Sequence, residues 1–201
     1  ERDMIFAGTG KNLGDASRPC YIETKHARVA MIACNSSNND SARAGAQTGD
    51  LPGRPGANPM RCLKRFHVDK PHFDMVKELA EITKVNASAE RSIELGYSAP
   101  YPEGQFPFGS SSFILDDHCF VESVPHARDM QRMIDQIKEA KKQADIVLVS
   151  IHSHFYDEKQ TNLPSQFIEI FAHNCIDAGA DVIIGHGPHE LQGIERYKDG
   201  L

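Results

Sequence analysis

The strongest apolar patterns lie near the end of the chain, where two strand-like runs flank a helix-like segment. Residues 144–151 and 181–185 are largely apolar, as is typical of strands covered on both faces of a parallel sheet. Between them, 164–178 repeats apolar residues at helical spacing, begins with Pro164 and is followed by Gly179, a common residue after a helix end. We therefore predict a strand–helix–strand unit whose right-handed crossover makes the strands parallel and brings their carboxyl ends to one sheet edge.

Weaker patterns predict further elements earlier in the chain. Residues 19–34 predict a hairpin, and its second strand, 28–34, is nearly all apolar. Apolar residues three and four apart predict helices over 71–84 and 125–143, the second with Pro125 in its first turn. The buried face of the earlier helix is predicted to comprise Phe73, Val76, Leu79 and Ile82. Short strands are predicted at 3–7 and 112–115, and a hairpin turn at 198–200.

Residues 35–66 show no periodicity and are rich in Gly, Pro, Asn and Ser. A loop of this length inside a domain is usually functional or disordered, and we interpret it as a long insertion. Its last part contains Arg54 and Arg61, whose guanidinium groups could bind a phosphate or carboxylate of a substrate. The alternative is a surface loop with solvated charges. A second loop, 96–112, is rich in Pro, Gly and aromatic residues.

Composition restricts the class of protein. The 201 residues include 40% hydrophobic ones, enough for one domain with a core, and carry a net charge of −6. No run of Lys and Arg interleaves with aromatic residues, so nucleic-acid binding has little support. The five cysteines show no CxxC spacing, which favours free thiols and a reducing compartment over a disulfide framework or a zinc finger. A serine hydrolase is disfavoured because the chain has no Gly-x-Ser-x-Gly motif.

Two pairs of histidines follow the two strands of the predicted unit. His152 and His154 come after the first strand, and His186 and His189 come after the second, where Gly187 forms part of a turn. Because neighbouring strands lie about 5 Å apart, all four imidazoles should converge at the edge where α/β proteins place their sites. Neutral imidazole is the commonest metal ligand, and open sites of this kind bind zinc, manganese or iron. The sequence therefore predicts a metal site at this edge.

Other polar residues have less specific interpretations. Asp157, Glu158 and Glu190 lie beside the histidines and are interpreted as hydrogen-bonding partners of the ligands or as solvated charges. Residues 116–118, Asp-Asp-His, form a separate polar cluster, which we interpret as a loop with capping roles. His173 lies within a predicted helix and is interpreted as structural.

The C-terminal motif resembles a known family. The run 177–189, DAGADVIIGHGPH, resembles the CapA family of poly-γ-glutamate capsule-synthesis proteins, as do Gln192, Ile194, Glu195 and Tyr197 after it. The strand that ends in His152 resembles an earlier histidine motif of that family. Segments 7–12 and 16–19 resemble the part that leads into the family's next strand, and 53–59 resembles an insertion seen in one branch of the family. The resemblance covers most of the chain. It implies an α/β fold of the calcineurin-like metallophosphoesterase type, with a β-sandwich flanked by helices.

The resemblance also implies roles for the histidines. His152, His186 and His189 would bind metal, and His154 would be either a ligand or a catalytic group that stabilises an oxyanion. The cofactors would be two divalent transition ions, manganese, iron or zinc, with part of their ligand set outside this chain. They would serve the hydrolysis of a phosphate ester, and the substrate would be an anionic small molecule or polyglutamate.

The family pattern leads to expectations about the whole protein. An Asp-containing motif and an Asn-Asn-His motif should precede residue 1, and a Ser-Leu-Gly-Asn-Phe motif should follow Leu201. Residues 1–201 are thus interpreted as one partial domain, truncated at both ends. Relatives are often anchored on the outer side of a membrane, but no signal peptide or apolar run of about 18 residues occurs here, which leaves localisation open. The alternative function is a non-catalytic partner of capsule-synthesis machinery in the membrane, which binds or exports polyglutamate through a former phosphatase cleft.

Overall fold

A computed structural model describes residues 4–201 of the protein, which form two compact units. The first unit contains the chain up to Cys62 together with Val124–Leu201, and the second contains Leu63–Ser123. In chain order the elements are β1 (Thr9–Gly10), α1 (Leu13–Ser17), β2 (Cys20–Glu23), β3 (Arg28–Asn35), a 3₁₀ turn (Asp40–Ala42), β4 (Gly56–Ala57), β5 (Cys62–Val68), α2 (Lys70–Thr83), α3 (Ala87–Glu94), β6 (Gln105–Phe108), β7 (Ser111–Leu115), β8 (Phe120–Pro125), α4 (Ala127–Lys141), β9 (Ile146–His152), α5 (Gln166–Ala178) and β10 (Val182–His186). This mixture of sheets and helices confirms the predicted α/β class.

The first unit is built around a four-stranded sheet with the order β10–β9–β3–β2. β3, β9 and β10 are parallel, and β2 pairs antiparallel with β3, so the predicted strand–helix–strand unit and the hairpin are both confirmed. Alternate residues of the two central strands are buried: Ala30, Ile32, Cys34, Val147, Val149 and Ile151. They share one hydrophobic core with the buried stripes of α4 and α5, which include Met133, Ile137, Phe167 and Phe171.

The two helices of this core begin later than predicted. α4 begins two residues after Pro125, because Pro125 is the last residue of β8 rather than part of a first helical turn. α5 begins two residues after Pro164, which forms a backbone bridge with Tyr156 in the preceding loop. α5 ends as predicted at Gly179, where φ is 113°, a conformation that glycine adopts at little cost.

The second unit contains a sheet with the order β6–β7–β5–β8, in which β5 and β7 are parallel and β6 is antiparallel to β7. β7 matches the strand predicted at 112–115, but the sequence analysis does not predict β5, β6, β8 or α3. The sequence of β5 does not resemble a buried strand, because it contains charged residues. One of them, Arg65, pairs with Glu122 of β8 at 2.9 Å. A partner on the neighbouring strand compensates the charge, so polar residues did not prevent strand formation here.

Helix α2 matches the predicted boundaries but not the predicted buried face. Leu79 and Ile82 are 48% and 72% exposed, so the prediction that both are buried is wrong. The helix packs through Phe73, a member of the predicted face whose ring centroid lies 6.3 Å from that of Phe106, and through Ala80, which is 5% exposed. Only this narrow face is covered by the sheet of the second unit.

The loop 35–66 is more ordered than its composition predicts. Residues 56–57 form β4, which pairs with β1, and the end of the range belongs to β5. Asn58 is fully buried; its Nδ2 donates to the carbonyl oxygen of Ala33 at 2.9 Å, and its Oδ1 accepts from Ser17 at 3.1 Å. Backbone pairing and one buried amide therefore attach this loop to the core of the first unit.

The ends of the described chain differ in how well they match the sequence patterns. Residues 4–7 form no strand, and Asp3, where that predicted strand begins, lies outside the described residues. At the other end, Tyr197 and Gly200 form an antiparallel bridge across the predicted turn. All five cysteines are free, as predicted. Within residues 4–201, no helix has both the length and the apolar character needed to span a membrane.

Candidate metal centre

The histidine cluster lies at the carboxyl edge of the parallel strands in the first unit. β3, β9 and β10 end at Asn35, His152 and His186, and these three residues lie side by side in the sheet register. His154 and His189 follow in the loops after β9 and β10. The strand order thus brings the loops after three neighbouring strands to the edge where α/β proteins bind their ligands.

The four imidazole rings contact one another. Nδ1 of His152 lies 2.9 Å from Nδ1 of His186, and Nε2 of His152 lies 3.1 Å from Nε2 of His154. The ring centroids of His154 and His189 are 5.4 Å apart. Nε2 of His186 also lies 3.1 Å from Oγ of Ser150 on the adjacent strand. The structure therefore brings together all four predicted histidines, with His152 at the centre.

The turn after β10 determines how closely the rings approach. Gly187 has a φ of 115°, and a Cβ atom there would lie 2.6 Å from the carbonyl oxygen of Ser153 and 3.0–3.1 Å from ring atoms of His154 and His152. Any other residue would be strained and would displace these neighbours. His189 has a φ of 61°, which is uncommon for a residue other than glycine. Gly187 is thus a positioning residue that the sequence analysis identified only as part of a turn.

The surroundings of His152 favour its neutral form. Removal from water lowers the pKa of His152, and its histidine neighbours His186, His154 and His189 lower it further through charge repulsion. His152 is partly buried, whereas the other three rings are exposed. Because neutral imidazole is the form that binds metal, this environment favours His152 as a metal ligand over His152 as a charged imidazolium.

The ring nitrogens are of the kind that binds divalent transition ions, but they approach one another only in pairs. Two imidazole nitrogens bound to one tetrahedral zinc ion lie about 3.3 Å apart, close to the 2.9 and 3.1 Å of the two pairs here. Each pair uses a different nitrogen of His152, and one ring cannot direct both nitrogens to the same ion. Among residues 4–201, the four histidines do not offer three ligand atoms that all lie within 4.8 Å of one another. A complete coordination sphere therefore needs further groups or the rotation of a ring.

The segment after β3 supports the loop that carries His154. The backbone N–H of Ser36 donates to the carbonyl oxygen of His152 at 2.9 Å, and that of His154 donates to Oγ of Ser37 at 2.9 Å. Oδ1 of Asn35 in turn accepts from the Ser37 N–H at 2.7 Å. These residues are not among the predicted ones, although a polar run directly after an apolar strand is the same pattern that indicates the histidines.

Arg54, a predicted substrate-binding residue, is engaged with the backbone of its own loop. Its Nε donates to the carbonyl oxygen of Arg43 at 3.0 Å, and its Nη2 donates to those of Asp40 and Arg43 at 2.5 and 2.9 Å. Arg54 therefore stabilises the fold of the loop, and a role in substrate binding stays a prediction.

Arg61, the second predicted substrate-binding residue, is paired with a buried carboxylate. Its guanidinium contacts both oxygens of Asp129, at 2.7 and 3.0 Å, and Asp129 is 1% exposed. Burial alone would raise the pKa of Asp129, but hydrogen bonds from Arg61 and Arg132 outweigh it and lower that pKa to about 2. Arg61 thus connects the loop to α4, and its predicted role towards substrate remains untested by these contacts.

The acidic residues beside the cluster have structural contacts. Oδ1 of Asp157 accepts from the backbone N–H groups of residues 159 and 160 at 2.9 and 3.0 Å and closes a turn. Glu190 accepts from Oγ1 of Thr161 at 2.9 Å. On α5, Nε2 of His173 lies 3.0 Å from Oε2 of Glu195, a contact consistent with the structural interpretation.

A cavity of about 700 Å³ opens beside His186 and His189. Its walls combine apolar side chains of α5 and β10, such as Ile168 and Ile183, with polar ones such as Glu195. This volume lies in the range of small-molecule sites. The first unit therefore offers space for a ligand next to two of the four histidines.

Comparison with known proteins identifies relatives of the whole chain. The family described as "Bacterial capsule synthesis protein PGA_cap" matches residues 1–201. The uncharacterized protein y4sH of Sinorhizobium fredii (strain NBRC 101917 / NGR234) is 30% identical over 202 residues, which cover 98% of this chain and 41% of that protein. The chain thus spans about two fifths of that relative's length.

Two relatives have names that describe a process. "Capsule biosynthesis protein CapA" of Bacillus anthracis is 42% identical over 127 residues, 62% of this chain and 28% of that protein. "PGA biosynthesis protein CapA" of Bacillus subtilis (strain 168) is 44% identical over 69 residues, 34% of this chain and 17% of that protein. The mixed α/β structure is consistent with the calcineurin-like fold that the resemblance implies. The chain belongs to the bacterial capsule synthesis protein family, PGA_cap, that includes CapA.

Proposed function

We propose that the protein is a metal-dependent hydrolase of the phosphoesterase type that acts in the biosynthesis of capsule or poly-γ-glutamate. The observation that carries the proposal is the convergence of four imidazoles at one sheet edge, with nitrogen–nitrogen distances of 2.9 and 3.1 Å. The process is inferred from the names of the CapA relatives. The type of reaction is inferred from the donor set and from the calcineurin-like fold.

The histidines have separate roles in this proposal. His152, His186 and His189 are assigned to the metal, as the resemblance to the CapA family implies. Divalent ions bound there would supply Lewis-acid stabilisation of the charge on a phosphate ester. His154 lies beside them on an exposed loop, with its backbone held by Ser37 at 2.9 Å. In this role its imidazole would donate a hydrogen bond to an oxyanion or move a proton to a leaving group.

The substrate class is an anion, either a small phosphate ester or a polyglutamate chain. The protein carries a net charge of −6, so attraction of an anion depends on local positive charge rather than on the overall field. Metal ions at the histidine cluster would provide that charge, and the adjoining cavity would hold the rest of the substrate. Capsule-synthesis machinery in the membrane is the partner that this role implies.

A non-catalytic role in binding or exporting polyglutamate is the second candidate. It is favoured by the arrangement of the ring nitrogens, which form two pairs around His152 rather than one group of three. Such pairs suit a site in which bound ions bridge to carboxylates of a polymer without activating water. Metal binding is common to both candidates, and turnover separates them.

The first experiment measures metal content and hydrolysis of phosphomonoesters and phosphodiesters on the same protein samples. The test variant is His186→Ala/His189→Ala, and the matched control is His26→Ala, which removes an exposed histidine outside the cluster and the adjoining cavity. We expect up to two equivalents of transition metal at the histidine cluster, measured as the difference between the wild-type protein and the double variant, and a turnover that only the double variant loses. Metal that binds without any turnover would favour the polymer-binding role. Absence of both from the folded protein would refute the proposal.

A further inference from the structure

A second group of potential metal ligands lies at the carboxyl edge of the parallel strands in the second unit. β5 and β7 end side by side, with Val68 next to Leu115 in the sheet register. The backbone N–H of Asp116 donates to the carbonyl oxygen of Val68 at 2.9 Å, which keeps the two departing segments together. Residues after β5 therefore meet residues after β7 at one edge, as in the first unit.

Three side chains of different chemistry converge at this edge. Asp69, His72 and Cys119 each offer one ligand atom, and these atoms all lie within 4.8 Å of one another. Nδ1 of His72 and Oδ1 of Asp69 form a hydrogen bond of 2.5 Å, which a bound ion would replace, and Sγ of Cys119 lies 3.9 Å from the same nitrogen. Asp69 is partly buried, and the other two are exposed to solvent, so an ion can reach them.

Helix capping explains only part of this arrangement. Asp69 is the N-cap of α2, and its Oδ1 accepts from the backbone N–H of His72 at 3.2 Å. A carboxylate has capacity for more than one partner, so capping leaves it able to bind an ion. Capping gives no reason for a thiol from another segment to lie beside the imidazole. Among the five cysteines, Cys119 is the exposed one.

The turn that carries Cys119 is fixed on both sides by one residue of β5. Nδ1 of His67 lies 2.8 Å from Oδ2 of Asp116, and the His67 ring stacks on Phe120 with centroids 4.2 Å apart. Cys119 lies between these two contacts in the sequence. Ligands held by such supporting contacts lose little freedom on binding an ion, which favours affinity.

We propose that Asp69, His72 and Cys119 form a zinc-type site, separate from the histidine cluster of the first unit. A thiolate, an imidazole and a carboxylate are the three kinds of side chain that bind Zn²⁺. Binding would release the thiol proton of Cys119 to solvent as the sulfur–metal bond forms. Three protein ligands leave a fourth tetrahedral position open to water or to a small ligand. The thiolate makes this site softer than the all-imidazole cluster.

The test uses Co²⁺ as a spectroscopic substitute for zinc in the intact chain. A sulfur-to-cobalt charge-transfer absorption reports a thiolate ligand, and the histidine cluster contains none. We expect this absorption to saturate at one equivalent and to disappear in Cys119→Ser. His72→Asn should weaken cobalt binding at this site by more than about tenfold. Even the loss of a residue that only hydrogen-bonds to a metal ligand lowers metal affinity by about 10–100-fold. Zn²⁺ should displace the cobalt and slow the alkylation of Cys119 by iodoacetamide.

Matched variants make the test specific. Cys20→Ser removes a thiol elsewhere, His118→Asn removes the exposed histidine next to Cys119, and His152→Ala disrupts the first cluster. All three should keep the absorption. An absorption that is missing from the wild-type protein, or that persists in Cys119→Ser, would overturn the proposal. Alkylation of Cys119 that Zn²⁺ does not slow would also overturn it.

Discussion

Each unit of the protein has a sheet edge where neighbouring parallel strands end, but the two edges carry different donor groups. In the first unit, four imidazoles lie at the ends of β9 and β10 or shortly after them, and three of these imidazoles form two nitrogen pairs that share His152. In the second unit, one carboxylate, one imidazole and one thiol follow β5 and β7 and converge within 4.8 Å. Parallel strands therefore explain the location of both clusters, and the side chains alone determine what each can bind.

The difference teaches that the number of histidines is a poor guide to a complete metal site. The imidazole-rich edge provides more donors, but its pairs point to different sides of one ring. At the edge with three donors, one potential ligand atom from each side chain lies within 4.8 Å of the other two. A cluster of this kind requires fewer additional groups to complete a tetrahedral sphere.

Removal of the ring shared by both pairs should have the largest effect. In His152→Ala, we expect metal at the first edge to be lost and any phosphoesterase turnover to fall by at least about 1,000-fold, as for other central catalytic groups. Metal analysis and steady-state kinetics measure both quantities. The sulfur-to-cobalt absorption should be unchanged, because it reports the second edge. Metal content like that of the wild-type protein would contradict the central position of His152.

Ion pairs in the two units should differ in their contribution to stability. Asp129→Ala leaves Arg61 and Arg132 without their buried partner, and we expect the free energy of unfolding to fall by about 3–5 kcal/mol. The control is Asp74→Ala in the second unit, which breaks an exposed pair with Lys70 and should cost less than about 1 kcal/mol. Urea denaturation measures both values. Equal losses in the two variants would show that the Asp129 pair is not buried in solution.

The turn at the first edge should be sensitive to a single methyl group. Gly187→Ala places a Cβ atom 2.6 Å from the Ser153 carbonyl oxygen at a φ of 115°, so we expect a loss of about 1–3 kcal/mol in stability and weaker metal binding. Thermal unfolding and metal titration measure the two effects. Gly193→Ala is the matched control, because no atom lies within 4 Å of the added carbon. A Gly187→Ala protein that binds metal like the wild type would refute the close approach of the rings.

Low pH should reduce the stability of the first unit, because Asp129 becomes protonated. Its pKa in the folded protein is lowered to about 2 from the ordinary value of 3.8, so folding favours the deprotonated form. The deprotonated carboxylate contributes about 2 kcal/mol to the free energy of unfolding. This contribution is complete above pH 4 and is lost as pH falls from about 4 towards 2. Urea denaturation at a series of pH values measures it, and Asp129→Asn should lack this part of the dependence. A stability difference between the two proteins that is independent of pH would contradict the lowered pKa.

The sequence predicts one edge well because its strands are apolar and its histidines follow them directly. The run before His152 and the run before His186 are both recognisable strands, and the crossover rule places their ends together. It does not predict the second edge, because β5 contains Lys64, Arg65 and His67 and does not resemble a buried strand. Without β5, nothing in the sequence brings Asp69 close to Cys119.

The positions of the arginines also could not be predicted from local sequence. Arg54 and Arg61 lie in a loop rich in Gly and Pro, where charged residues suggest solvent or substrate. Their partners are two backbone carbonyls within the same loop and a carboxylate, Asp129, on a distant helix. Only the tertiary arrangement reveals that Asp129 is buried and available as the counter-charge for Arg61.

The contacts among Ser150, His186, His152 and His154 have a consequence for tautomers. A neutral imidazole has one N–H. Each neutral ring in this row of hydrogen-bonded groups can therefore donate on one side only while it accepts on the other. If His186 donates from Nδ1 to His152, then His152 must donate from Nε2 to His154, and the Ser150 hydroxyl donates to His186. If the direction reverses at one ring, it reverses at all of them. The four groups therefore form a single two-state unit in which a hydrogen bond made to His154 determines which nitrogen of His186 is protonated.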